Sequence, residues 1–413
     1  MTTGRAVQSA LDIGHGTVRV IIAERVEEDR IRVLGAGAAA SKGLSRGIPT
    51  NIKPMILAVE EAIAAAEEAA GIEVDDIHLG VSGAELACAE TESHLLVTRN
   101  PQDPRSSLIQ TTHLRQVLEQ AEASQTVQIE RQILHCLPQE FLVDGAEGVQ
   151  NPVGLHGMRL DCRTHFLSVP VNTVENLKRC VQRTAVNVGS VTLTSLASSC
   201  FLSPDEKELG VLLLDVGAAS TDLILHADGK VCHAASVPMG GAAITSDITR
   251  AFRTPASEAE RIKRSYGCCD HRLIRRDERF DIEYAGGDSS ERASRSQLCQ
   301  VIQPRMEEIL ELVERELEIS NMRWMLGAGV VITGGGARLD GLLDLARDRW
   351  SLPVRLGYPR GVMGVEADPS MLEWTPAIGL AQHALRNAPI SHGQKSKITL
   401  WNWVNRLRRH VAL

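Results

Sequence analysis

The sequence predicts an α/β protein built from two similar halves that face each other across a cleft. Two stretches carry that prediction. Residues Ala10 to Ala23 read as two apolar strands around a turn at Gly14-His15-Gly16, with Asp12 where the first strand ends. The same unit returns at Gly210 to Leu225, where an apolar strand ends in Asp215-Val216-Gly217, passes a turn of small residues and resumes at Leu223-Ile224-Leu225. A strand-turn-strand unit that recurs with an aspartate at the strand end marks a duplicated fold, and a ligand would sit between the two turns.

The intervening elements follow from local pattern. Ile52 to Ala70 reads as a helix, with Pro54 near its start, Ile56, Val59, Ile63 and Ala66 on one face, and Gly71 just past its end. From about Gly83 to Phe166 the pattern changes: a helix near Thr112 to Ala123 lies among irregular stretches before the sheet pattern resumes at Phe166-Leu167-Ser168-Val169. This is the expected inserted subdomain. Arg272 to Gln297 is polar enough to read as a mobile surface loop within a second insertion. The helix after it, Val301 to Ile319, turns Ile302, Met306, Ile309, Leu310 and Val313 toward a core. Asn387 to Lys397 has linker composition.

At 413 residues and 43% hydrophobic content the chain can bury large cores in two or more domains. No apolar run reaches the roughly 18 residues that cross a bilayer, and the N-terminus has no signal-peptide pattern, so a cytoplasmic location is expected. The nine cysteines lack metal-ligand spacing, and adjacent Cys268 and Cys269 do not bridge without strain, so reduced thiols are expected. A net charge of -8 argues against nucleic-acid binding by the body of the protein. The end of the chain is different. No acidic residue follows Glu373, while Lys395, Lys397, Arg406, Arg408 and Arg409 make the tail basic and attracted to anionic surfaces.

A phosphate chain needs backbone N–H donors unobstructed by side chains, which the small residues Gly14, Gly16 and Gly217-Ala218-Ala219 provide beside the Ser220 and Thr221 hydroxyls. Asp12 and Asp215 would hold Mg²⁺ through its waters, because this hard ion prefers oxygen and keeps much of its hydration shell. Val330-Val331-Ile332-Thr333-Gly334-Gly335-Gly336-Ala337 is a buried strand running into three glycines, where the backbone can approach an adenosine face. Glu260 and Lys263 are three residues apart on one helix and can reach ribose hydroxyls. Each motif alone has a plainer reading, whether tight hairpin, chain reversal or solvated ion pair; together they define three walls of one cleft.

In the tail, Leu400, Trp403, Val404, Leu407 and Val411 share one face of a helical wheel, Asn402, Asn405, Arg406 and Arg409 lie opposite, and Trp401 and Arg408 flank the apolar face. That pattern fits a helix lying in the headgroup boundary of a membrane; docking on the protein's own surface is the alternative. Burial of five apolar side chains at about 1.5 to 3 kcal/mol each, less the ordering cost, gives weak and reversible attachment. Several copies on a polymer would bind far more firmly.

The order Asp12-Ile13-Gly14, Asp215-Val216-Gly217, Glu260-x-x-Lys263 and Thr333-Gly334-Gly335-Gly336-Ala337 resembles the actin, Hsp70 and sugar-kinase superfamily. Gln132-Ile133-Leu134-His135-Cys136-Leu137-Pro138-Gln139-Glu140-Phe141, Glu147 to Leu155, Gly157-Met158-Arg159-Leu160, Thr245-Ser246-Asp247-Ile248 and Val301-Ile302-Gln303-Pro304-Arg305 are similar to the FtsA family of bacterial cell-division proteins. The resemblance runs from about Ala10 to Gly379.

It implies duplicated actin-like (ribonuclease H-like) domains, divided as 1–83 with 166–198 (subdomain 1A), 84–165 (inserted subdomain 1C), 199–230 with 320–386 (2A) and 231–319 (2B). A linker at 387–397 and a membrane-targeting helix at 398–413 would follow. ATP and Mg²⁺ are the implied cofactors, and the implied nucleotide residues add Thr17, Gly240 and Gly241 to those above. The implied role is an ATP-bound polymer on the cytoplasmic face of the inner membrane at the division site, holding FtsZ filaments and meeting other division proteins through 1C. Arg305 is the candidate contact for the FtsZ C-terminal peptide.

Two departures bear on nucleotide affinity. His15 stands where a hydroxyl residue is common, and Ala218 and Ala219 add methyl groups beside a phosphate, so a left-handed backbone there would cost about 1 kcal/mol. No catalytic base is identifiable, and at most slow ATP turnover is expected. A sugar-kinase-class phosphotransferase and an actin-like scaffold of a pilus-type machine are the competing readings.

Overall fold

The computed structural model describes residues 6–387, apart from 28–29, 46–47, 84, 98–106, 125–129, 276, 284–289, 366–367 and 369. The linker and amphipathic helix expected beyond Asn387, including Leu400, Trp401, Trp403, Val404, Leu407, Arg408 and Val411, lie outside the described residues.

The first half opens as an antiparallel meander of β1 (Val7–Ile13), β2 (Thr17–Glu27) and β3 (Arg30–Ala40), in which Ala10, Leu11, Val18, Val20 and Ile22 are buried. A short hairpin, β4 (Leu44–Ser45) and β5 (Ile48–Pro49), leads to α1 (Ile52–Ala70). This helix ends where Gly71 takes φ 64° and donates its N–H to the Glu67 carbonyl, the left-handed cap that glycine adopts without a Cβ penalty. β6 (Asp76–Val81) then pairs in parallel with β1.

The inserted unit holds β7 (Ala87–Leu96), α2 (Thr111–Ser124), β8 (Arg131–Val143), β9 (Ala146–Val149) and β10 (Arg159–Pro170), with sheet order β7-β10-β8-β9. Here one expectation is corrected. Phe166 to Val169 does not return the chain to the first sheet; it is the second half of β10, paired with both β7 and β8, because the strand runs unbroken from Arg159. The chain rejoins the first half through α3 (Val171–Gln182) and β11 (Asn187–Leu193), which pairs in parallel with β6, followed by α4 (Thr194–Ser198).

In the second half, α5 (Pro204–Leu209) starts with a capping box in which Ser203 and Glu206 satisfy each other's backbone N–H groups. β12 (Val211–Val216), buried at every position, pairs antiparallel with β13 (Thr221–Ala227), which pairs with β14 (Lys230–Val237). α6 (Gly241–Phe252) and α7 (Ala256–Tyr266) follow. The expected loop over Arg272 to Gln297 is instead a hairpin, β15 (Arg279–Glu283) and β16 (Ser290–Ser294), with Phe280 and Ile282 buried and Phe280 stacked on Tyr266 at 4.9 Å. Alternating polar and apolar residues hid one buried face within a polar average.

The next helix, α8 (Arg295–Ile319), begins six residues before the expected Val301, at a capping box formed by Ser294 and Gln297. β17 (Gly329–Thr333) pairs in parallel with β12, and α9 (Leu342–Trp350) leads to β18 (Val354–Leu356), giving the order β14-β13-β12-β17-β18. β19 (Val362–Met363) crosses back to β3, completing the first sheet as β11-β6-β1-β2-β3-β19. α10 (Met371–Asn387) packs Ala377, Ile378, Ala381 and Leu385 against Ala10, Ile21 and Ala23 of the first half. Among the described residues, no helix is long and apolar enough to cross a membrane.

The approach of α1 to β3 leaves no room for side chains: a Cβ on Gly37 would lie 2.0 Å from the Ala62 carbonyl oxygen, and one on Gly35 2.3 Å from that of Ala66. Gly37→Val should therefore lower stability by at least about 1–3 kcal/mol by forcing helix and sheet apart. A thermal melt of the full chain checks this, and an unchanged midpoint would contradict the packing described.

Candidate functional site

Hydrogen bonds shape the two turns alike. The Gly14 N–H donates to the Thr17 carbonyl at 3.1 Å, and the Gly217 N–H to that of Ser220 at 2.9 Å. The turns meet almost tip to tip, since a Cβ on Gly16 would lie 3.6 Å from the Ala218 Cβ. They bound a cleft of about 1030 Å³. Ala218 and Ala219 both avoid the left-handed region, so the backbone strain anticipated for them is absent.

Beneath the turns lie three buried carboxylates. Asp12 and Asp215 are the next-to-last residues of β1 and β12, and Asp222 on β13 pairs directly with Asp215. Burial is the first cause that pushes Asp12 up to about 6, with Asp222 adding to it and Arg19 opposing. Burial likewise pushes Asp215 up to about 8, reinforced by Asp222 and Asp12. Asp222 is also raised by burial, although Ser236 Oγ at 2.5 Å and the Gly83 N–H at 3.1 Å donate to it. Arg19, paired with Asp12 across β1 and β2, is the cation that opposes the shift at both Asp12 and Asp215.

The far wall comes from α6 and α7. Lys263 Nζ lies 2.6 Å from Glu260 Oε2 and donates to the Gly241 carbonyl at 3.0 Å and to Thr245 Oγ1 at 2.9 Å. Thr245 Oγ1 in turn donates to Glu260 at 2.6 Å. Burial pushes the Glu260 carboxyl up, but Lys263, Thr245 and Arg264 outweigh it and hold it below its usual range. The two residues do form an ion pair, but with Lys263 largely buried rather than solvated, and the pair faces the cleft.

The third wall follows β17. Gly334 has φ 84°, and a Cβ there would lie 2.3 Å from Asp215 Oδ1, so both conformation and space demand glycine.

Of the cleft residues singled out in the sequence, Asp12, Gly14, His15, Gly16, Thr17, Asp215, Gly217, Ala218, Ala219, Ser220, Glu260, Lys263, Gly334 and Gly335 line the cleft. The remaining five stand behind it. Thr221 donates its hydroxyl to the Met239 carbonyl at 2.9 Å, and Gly240 and Gly336 pack against Gly217 and Val216. Gly241 accepts from Lys263, and Ala337 is buried. Sequence reasoning missed Arg19, Asp222, Thr245 and Glu373 in the lining. The β12–β13 register could have found Asp222, because residues paired across a tight hairpin share one face.

Arg305 lies elsewhere, on α8, with Nε 2.6 Å from Asp247 Oδ2 and a second bond to Glu308.

Buried His15 Nδ1 and Thr249 Oγ1 have no partner among the described residues, and both residues line the cleft. Among the described residues, no group of three or more His, Cys, Asp or Glu side chains is arranged to hold a metal ion directly. Two carboxylates near small-residue turns suit an ion that keeps most of its waters.

Paired hairpins, paired aspartates and a glycine-rich third wall define an actin-like fold around a central cleft. The PilM–PilN type IV pilus biogenesis complex shares this fold with a TM-score of 0.64 at 16% identity over 92% of this chain and 98% of that one. MreB5 of Spiroplasma citri bound to ADP shares it with a TM-score of 0.56 at 11% identity, covering 93% and 98% of the two chains. The family model for cell division protein FtsA matches residues 212–378, and that for the SHS2 domain inserted in FtsA matches 92–168. FtsA of Pseudomonas aeruginosa is 32% identical over 91% of this chain and 88% of its own length, and FtsA of Bacillus subtilis 32% identical over 92% and 84%. The chain belongs to the FtsA family, and its role is in cell division.

The buried acids make stability depend on pH. A carboxyl whose pKa rises on folding keeps its proton in the native state after the unfolded chain has lost it, so its contribution is full below the unfolded value and is lost as pH rises through the folded one. With Asp215 raised from 3.8 to about 8, the melting temperature in EDTA without nucleotide should fall between pH 5 and 8. Asp215→Asn should flatten that slope; an equally steep slope in the variant would remove Asp215 as its source.

Proposed function

We propose that the cleft binds ATP with a largely hydrated Mg²⁺, and that the ATP-bound chain polymerises on the cytoplasmic face of the inner membrane and tethers FtsZ filaments there during septation. The observation that carries the nucleotide part is the meeting of the two small-residue turns over buried Asp12 and Asp215. The turns' backbone N–H groups and the Ser220 hydroxyl would hold the phosphates, and Glu260 and Lys263 the ribose. Asp12 and Asp215 would face the waters of Mg²⁺, whose charge favours their ionised forms and offsets their mutual repulsion. The ion supplies neutralisation of phosphate charge. Solved structures of the similarly folded MreB5 hold ADP and AMPPNP, which supports the same reading.

Membrane attachment rests on the wheel geometry of 398–413 and the basic character of the tail. For the FtsZ C-terminal peptide, Arg305 on α8 is the proposed contact, and since Asp247 and Glu308 already neutralise it, a peptide carboxylate would have to join or replace an existing ion pair. Similarity to the pilus complex, at 16% identity, lies in the fold alone, whereas the FtsA relative is 32% identical over 91% of the chain.

Gly334→Val, which drives a side chain into Asp215, should weaken binding of a fluorescent ATP analogue with Mg²⁺ by about tenfold or more, equivalent to at least about 1.4 kcal/mol. Unchanged affinity would place the nucleotide elsewhere. The full chain should cosediment with vesicles containing anionic phospholipid and a chain ending at Lys397 should not; equal sedimentation would overturn membrane attachment by the tail. Arg305→Ala should reduce capture by an immobilised FtsZ C-terminal peptide, while retention equal to wild type would move that contact off α8.

A further inference from the structure

Glu373 lies in the first turn of α10, where Leu372 packs into the core of the second half and Met371 and Trp374 pack against that of the first, and its carboxylate is shared by three arginines from three different elements. Arg19 of β2 places Nη2 2.7 Å from Oε2, and Arg264 of α7 places Nη2 3.5 Å from the same oxygen. Arg338, in the turn after the three glycines, bonds Oε1. Arg19 and Glu373 are 12% and 11% exposed, so their pair is shielded, and Arg19 also lies 5.6 Å from the Trp374 ring. Arg264 and Arg338 are 54% and 38% exposed and belong to the second half. The carboxylate rests against the glycine loop, since a Cβ on Gly335 would lie 3.7 Å from Glu373 Cγ.

We propose that Glu373 is a positioning residue that latches the two halves across the cleft and thereby sets the rate at which a bound nucleotide leaves. Separating the halves requires parting Glu373 from Arg264 and Arg338 while Arg19 keeps it on the first half. Parting them strands a shielded carboxylate from most of its compensating charge, which resists opening. The role in nucleotide release rests on the reading of the cleft as an ATP site; the latch itself does not.

The test uses the full chain with Glu373→Gln, which keeps shape and removes charge, and Arg338→Gln, which leaves the shielded Arg19–Glu373 pair intact should the first variant fold poorly. Without nucleotide, amide hydrogen exchange over residues 14–17 and 334–338 should be several-fold faster in either variant. Wild-type exchange in a folded variant overturns the latch. With a fluorescent ATP analogue and Mg²⁺, release from either variant should be about tenfold faster than from wild type at low salt. Raising salt to 1 M, where the screening length is about 3 Å, should speed wild-type release and leave that of Glu373→Gln nearly unchanged. Unaltered release with the same salt dependence as wild type overturns the proposal while leaving nucleotide binding intact. Absence of analogue binding by wild type refutes the ATP reading and with it the release role, and the exchange result then decides the latch alone.

Discussion

Three acids buried at the junction of two halves are the constraint around which this molecule is organised. Asp12, Asp215 and Asp222 repel one another where little water can screen them, and Arg19 opposes that repulsion at the first two. Such a cluster persists only by holding protons or by recruiting a cation. Asp222 adds a mechanical consequence, because its two donors, Gly83 and Ser236, come from opposite halves of the chain. One of the acids that crowd the cleft thus also ties its two walls together.

Duplication explains how the cluster is assembled. In each half the strand carrying the aspartate pairs antiparallel with the next strand through a tight turn and parallel with a later one, β6 for β1 and β17 for β12. Both strand ends therefore face the cleft from the interior of a sheet, where neighbours on both sides fix their position. β19 returns the chain from the second half to the first, α10 then packs there, and Glu373 of α10 pairs with Arg338 of the second half.

Much of this was legible because it is local. The bounds of α1 follow from apolar spacing and a glycine cap, and both aspartate hairpins follow from strand pattern and turn residues. What escaped depended on pairing. The face of β15 that holds Phe280 and Ile282 is invisible to an average over a polar stretch. Membership of Phe166 to Val169 in the inserted sheet depends on partners about 80 residues earlier in β7. Thr245 and Glu373 enter the cleft from elements distant in sequence, so no spacing rule joins them to Asp12. Concern over Ala218 and Ala219 assumed a left-handed turn, whereas the observed turn bends without one.

The stretch around His135 has a meaning beyond family likeness. His135 Nε2 accepts the Leu193 N–H at 3.0 Å, tying β8 of the inserted unit to β11 of the first sheet, and burial pulls the ring down to about 4. An imidazole serves as an acceptor only while neutral. With its titration displaced well below the range in which histidines usually act as switches, the ring stays an acceptor and this fastening between β8 and β11 is indifferent to ordinary changes in acidity.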